Sequence, residues 1–228
     1  MNKICKLSAI ALLASSTSLM AQSKGFEGAS IGVFAGAFGV EAKGTANTTA
    51  GTGGGGEAAS SGSGQTGAVS GIGGIDLSYG FNAGSGMVIG IGATYVPAKA
   101  KVTTGSSNDT SAGGEISVEL KNHYTVYIQP TFVLNKDSAV FVKVNYAAAD
   151  LTASGQNITI TSGDISGWGA GVGLKTFLTP NAFIQVEANY TDYDTVTARR
   201  TNAGTGRITT ASGDPKVAQG LVTLGYKF

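Results

Sequence analysis

Apolar and polar residues alternate in steps of two along seven of eight extended stretches of this chain, the period of a strand with one apolar face. The final eight residues show it plainly, with Val222, Leu224, Tyr226 and Phe228 on one face and Leu221, Thr223, Gly225 and Lys227 on the other. A stretch over about 67–81 sets Ile75, Leu77, Tyr79 and Phe81 against Gly74, Asp76, Ser78 and Gly80, and the next carries Met87, Ile89, Ile91, Ala93 and Tyr95 past Pro97 towards Thr104. Over about 115–134, Leu120, Tyr124, Val126, Ile128, Pro130 and Phe132 oppose Glu119, Lys121, His123, Thr125, Tyr127, Gln129 and Thr131. Val140 to Tyr146, Trp168 to Leu178 and Ile184 to Tyr190 repeat the pattern. The first stretch, about 28–43, is apolar on both faces, so its inside and outside stay unassigned.

The connections fall into two classes. Asn82–Gly86, Asn135–Asp137 and Thr179–Asn181 are short turns, whereas about 44–66, 105–114, 154–160 and 200–214 read as longer polar loops, the first holding Gly53 to Gly56. Short and long connections in strict alternation predict an all-β protein, an eight-stranded antiparallel up-and-down transmembrane β-barrel with four extracellular loops. In lipid every backbone N–H and C=O needs an internal partner, so the last strand must pair with the first. Tyr79, Tyr95, Tyr124, Tyr146, Trp168 and Tyr190 then form an interfacial aromatic girdle, and Asp76, Glu119, Lys121, His123, Lys143, Lys175, Glu187 and Lys227 a charged network in the lumen. Eight strands enclose only enough space for side chains, so this interior is expected to be plugged. Pro97 and Pro130 remove a donor each and are placed at membrane rims or bulges.

Composition narrows the partners. Lys3 and Lys6 precede an apolar run, Leu7 to Ala14, and a small polar stretch ending at Ala21, which reads as a signal peptide over residues 1–21. The run is shorter than the ~20 residues of a spanning helix. Cys5 leaves with it, so the mature part, residues 22–228, relies on neither disulfides nor thiolate metal sites. Lysines and arginines number 15 against 14 acids, with no basic block, which argues against nucleic acid. Glycine, at 36 of 228 residues, opposes a helical fold.

Trp168 to Lys175, Thr179-Pro180-Asn181, Gln185 to Tyr193 and the closing Gly225-Tyr226-Lys227-Phe228 together resemble small outer-membrane barrels of the OmpA-like and opacity-like group. The resemblance implies the outer membrane of a Gram-negative bacterium, contact with outer-membrane lipid and lipopolysaccharide, and insertion by the barrel-assembly machinery through Leu224, Tyr226 and Phe228. Some barrels of this size resemble esterases in using Ser, His and an acid. His123 is the one histidine and Thr125 shares its face, but no serine stands near it, so a lumenal histidine in a polar network is the reading. Scattered carboxylates beside one histidine lack metal-ligand spacing, and Gly169, Gly171 and Gly173 sit inside a strand, which removes a nucleotide fingerprint and points to close packing of lumenal side chains. Arg199 and Arg200 could hold lipopolysaccharide phosphates or simply be solvated. The expectation is a monomeric, cofactor-free, non-enzymatic barrel for structural or surface interaction with a host or environmental ligand, the alternatives being a narrow diffusion channel and an outer-membrane lipid hydrolase.

Overall fold

A computed structural model describes residues 23–50, 58–84, 86–97, 100–104, 116–154, 158–160, 163–201 and 206–228. The strands are β1 (Gly28–Thr48), β2 (Ser60–Gly84), β3 (Met87–Val96), β4 (Ala100–Thr104), β5 (Ile116–Val133), β6 (Ser138–Ser154), β7 (Ile158–Ile160), β8 (Asp164–Phe177), β9 (Ala182–Tyr193), β10 (Val196–Thr201) and β11 (Ile208–Lys227). β3 with β4, β7 with β8, and β9 with β10 are interrupted staves, so the segments make eight. Neighbours run antiparallel, and β11 pairs with β1 over its whole length to close the wall. The predicted eight-stranded barrel is the fold.

Following cross-strand partners around the wall measures its stagger. Ile31, Leu77, Ala93, Val126, Tyr146, Trp168, Asp192 and Lys216 are successive partners, and Lys216 returns to β1 at Glu41. The path from residue 31 to residue 41 is a stagger of ten residues, which tilts the strands by about 40° in an eight-stranded barrel. Between Trp168 and Leu178 the outward face of β8 is then about 25 Å tall, the height of a lipid-facing band.

Closure decides which face is which in β1. Its inward residues include Phe34 and Phe38, both buried, and its outward residues Ile31 and Val33, both exposed. β5 departs from simple alternation. Asn122, at φ 51°, lies in a bulge, where the β5–β6 register shifts between Lys121 and Tyr124. Lys121 consequently pairs with the exposed Asp150 and belongs to the outer face, which corrects its placement in the lumen. Glu119 pairs above the same bulge with Thr152, and its side chain lies outside the described residues.

Two tracts expected as loops are largely strand. β1 continues to Thr48 and β2 begins at Ser60, so much of 44–66 is paired; β11 begins at Ile208, inside 200–214. Strand pairing needs only backbone donors and acceptors, and β1 finds them on both sides. Gly, Ser and Thr side chains leave no apolar face to signal it. Of 154–160, β6 holds Ser154 and β7 holds Ile158–Ile160, whereas 105–114 lies outside the described residues. Pro97 ends β3, two residues after its last partner on β2, Tyr95 with Ile75. Pro130 sits one outward step above Phe132, and the β5–β6 ladder passes over Gln129 and Pro130 without a register shift, so no bulge marks it.

Candidate functional site

The inward faces build three layers. At the short-turn end, Phe26 from the turn Lys24–Phe26 packs with Val88, Val133, Ala139, Phe177 and Phe183, and the Phe26–Phe177 and Phe177–Phe183 rings meet edge-on at 5.1 and 5.7 Å. This turn enters the mouth because Asn82 Nδ2 donates to Glu27 Oε1 at 2.6 Å and to Ser23 Oγ at 3.2 Å. At the long-connection end, Phe38, Ala147, Ala149, Ile165, Tyr193 and Val217 form a second apolar layer.

Between them lies a polar layer. Lys143 forms a buried ion pair with Glu187, their side chains 5% and 4% exposed. Glu187 also accepts from Gln185 at 3.4 Å and Asn189 at 3.2 Å, and Asn189 donates to Asn145 at 2.8 Å while accepting from Thr191 at 3.2 Å. Tyr127 donates to Asp76 at 2.8 Å, and its ring lies 4.2 Å beneath the Lys143 ammonium. Lys175 rests over the Phe183 ring at 3.7 Å. Asp76 and Glu187 balance Lys143 and Lys175, so among the described residues the buried charges sum to zero. That balance is what a low-dielectric interior requires.

The structure therefore brings Asp76, Lys143, Lys175 and Glu187 into one layer. His123 stands apart, nearer the outer apolar layer, its Nε2 bonded to Tyr193 Oη at 2.9 Å; among the described residues no serine or carboxylate bonds to it. Lys227 is half-buried at the inner mouth and donates to the Lys24 carbonyl at 3.2 Å, outside the charged layer. No group of His, Cys, Asp and Glu capable of holding a metal ion occurs among the described residues.

Close packing at the strand glycines was expected, but not which aromatic rings fill the space. A Cβ on Gly173 would meet the Phe141 ring, one on Gly225 the Phe183 ring, and one on Gly92 the Tyr127 ring. Inward rings fill the lumen by lying across glycines of neighbouring strands. The signal was present as single glycines on polar faces, but pairing each with its ring needs the register.

On the outside, Trp168 and Phe228 are 67% and 74% exposed, beyond what a water-soluble chain of this size would scatter over one band. Tyr95 pairs with Tyr124, Tyr146 touches Trp168 at 5.3 Å between centroids, and Tyr190 lies beside Ala170 and Ala218. Tyr79, with Phe81, falls in the opposite row, where Phe132, Tyr226 and Phe228 also lie. Above the first row comes a charged fringe: Glu41, Lys43, Asp150, Asp192, Asp214 and Lys216. Lys43 and Glu41 approach to 3.2 Å, Lys216 and Asp192 to 3.8 Å.

The profile of the outer membrane protein beta-barrel domain family matches residues 9–228. The chain belongs to that family. Its fold is also that of OprG from Pseudomonas aeruginosa, with a TM-score of 0.51 at 13% identity over 89% of this chain and 96% of that chain. Ail, the attachment invasion locus protein of Yersinia pestis, aligns with 15% identity and a TM-score of 0.41 over 89% and 99% of the two chains. Neisserial surface protein A aligns with 13% identity and a TM-score of 0.38 over 85% and 99%. No curated protein matches by sequence. Membership makes the aromatic rows lipid-facing and the structure a small outer-membrane barrel of the Gram-negative type. At 13% identity OprG speaks to the fold alone.

Proposed function

We propose that this barrel acts at the cell surface rather than as a conduit, presenting its outer strand extension and the loops that join those strands to a host or environmental ligand. The observation that carries the reading is the filled lumen: an apolar layer seals each end, and a neutral, hydrogen-bonded layer occupies the middle. β1, β2 and β11 meanwhile continue past the charged fringe at Glu41 and Lys216, so wall outside the membrane exceeds what closure needs. That extension is rich in Ser, Thr and Gly, with hydroxyl contacts such as Thr48–Thr209 at 3.0 Å and Thr197–Ser212 at 3.1 Å. Export by residues 1–21, recognition of Leu224, Tyr226 and Phe228 by the assembly machinery, and contact of Arg199 with lipopolysaccharide phosphate belong to the same proposal.

The experiment is a planar-bilayer recording of the refolded protein beside a whole-cell binding assay. No discrete conductance steps are expected, and replacing the connection 49–59 by a short turn should abolish surface binding while leaving heat-modifiable migration intact. Sustained steps from the intact barrel would favour the diffusion channel and sink this reading. Release of acyl chains from outer-membrane lipid, lost in His123→Ala, would favour the hydrolase.

A further inference from the structure

Two buried polar groups in the lower lumen lack partners of opposite kind. The Gln129 Oε1 acceptor is buried and meets no donor among the described residues, while Gln129 Nε2 is already turned to Thr131 at 3.5 Å. Lys175, 9% exposed, brings three N–H donors, yet among the described residues its ammonium meets only the faces of Phe183 and Phe177. Gln129 is 7% exposed. A buried amide oxygen left without a donor carries its full desolvation penalty.

Both groups line the same cavity, of about 20 Å³, together with Asp76, Ser30, Ser78 and Gln185. A cavity needs ~10–15 Å³ of such space and two to four polar partners to hold a water. Size admits one water and excludes a solute of several heavy atoms. Charge excludes a resident metal cation, because the Lys175 ammonium already occupies that wall. Phe26 is also part of the lining, so the turn at the inner mouth borders this cavity too.

We propose that the lower lumen contains a solvent site, in which one water accepts from Lys175 Nζ and donates to Gln129 Oε1, with Phe26 between it and the inner mouth. The water's second hydrogen is then directed at the remaining oxygens of the lining, of which the Asp76 carboxylate is the strongest acceptor. The site ties β8 to β5 and β2 across the barrel axis.

The test is water relaxation dispersion on the full barrel in detergent, which detects waters that exchange slowly with bulk. The wild type should show a slow component that falls by one water in Gln129→Leu, and Phe26→Ala should keep the water but speed its exchange severalfold. An undiminished slow component in a Gln129→Leu barrel that still migrates as folded overturns the proposal. Should that variant fail to fold, a high-resolution crystal structure of the wild type decides. Density within hydrogen-bond distance of both Lys175 Nζ and Gln129 Oε1 supports the site, and a dry cavity or a direct Lys175–Gln129 or Lys175–Asp76 bond removes it.

Discussion

Lys143 is tolerable in the lumen only while Glu187 stands opposite it, since both side chains are nearly out of reach of solvent. Removing one partner strands the other, so Lys143→Met is expected to cost about 3–5 kcal/mol, and Lys143→Met with Glu187→Leu to recover most of it. Urea unfolding of the three proteins in detergent measures both numbers. A single variant as stable as the wild type would show that water reaches the pair. Gly173 makes a second residue-level case. Gly173→Ala drives a methyl into the Phe141 ring and the backbone behind it, at an expected cost of about 1–3 kcal/mol, which Phe141→Leu in the same chain should partly relieve. The charged residues were legible one by one as members of a polar face. Their partners were not, because Lys143 and Glu187 lie 44 positions apart and meet over the intervening strand β8.

At the scale of the element, β5 is where the pattern read from the sequence fails. Strict alternation put Lys121 and His123 on one face, and the bulge at Asn122 separates them. Asn is among the residues that accept a left-handed backbone, and here its Nδ2 also donates to Asp150 at 2.6 Å. Asn122→Gly should therefore fold with little loss, whereas Asn122→Val, branched at Cβ, should strain the bulge by about 1–3 kcal/mol. Comparing their unfolding midpoints checks this; equal stability would mean the bulge migrates along β5 at no cost. The long β1–β2 ribbon escaped notice for a related reason. A strand of Gly, Ser and Thr has no apolar face, and periodicity reports faces, not hydrogen bonds.

For the whole molecule, closure stabilises a chain whose single cysteine, Cys5, allows no internal disulfide. Pairing β1 with β11 leaves no lipid-exposed edge within the apolar band, so unfolding must break the wall as a unit. The purified outer-membrane fraction should show a mobility shift on boiling, and shortening β11 by removing Tyr226 to Phe228 should abolish the boiling-resistant band. A truncated chain that still resists detergent would place the closing seam elsewhere. From outside intact cells, a protease should reach the β1–β2 connection and spare the turn at 134–137; the reverse would invert the barrel.

By itself the sequence determined the number of staves, the class of fold and the two surfaces of most strands, because lipid on one side and packed side chains on the other impose a period of two that local residues must obey. Tertiary structure alone decided the faces of β1, the bulge that moved Lys121 outward, the partners of Lys143 and Lys175, and the reach of β1, β2 and β11 beyond the membrane. These depend on register and on the stagger of ten residues around the closed wall, which fix what lies opposite what. No window along the chain contains that information, since each contact joins residues that only closure brings together.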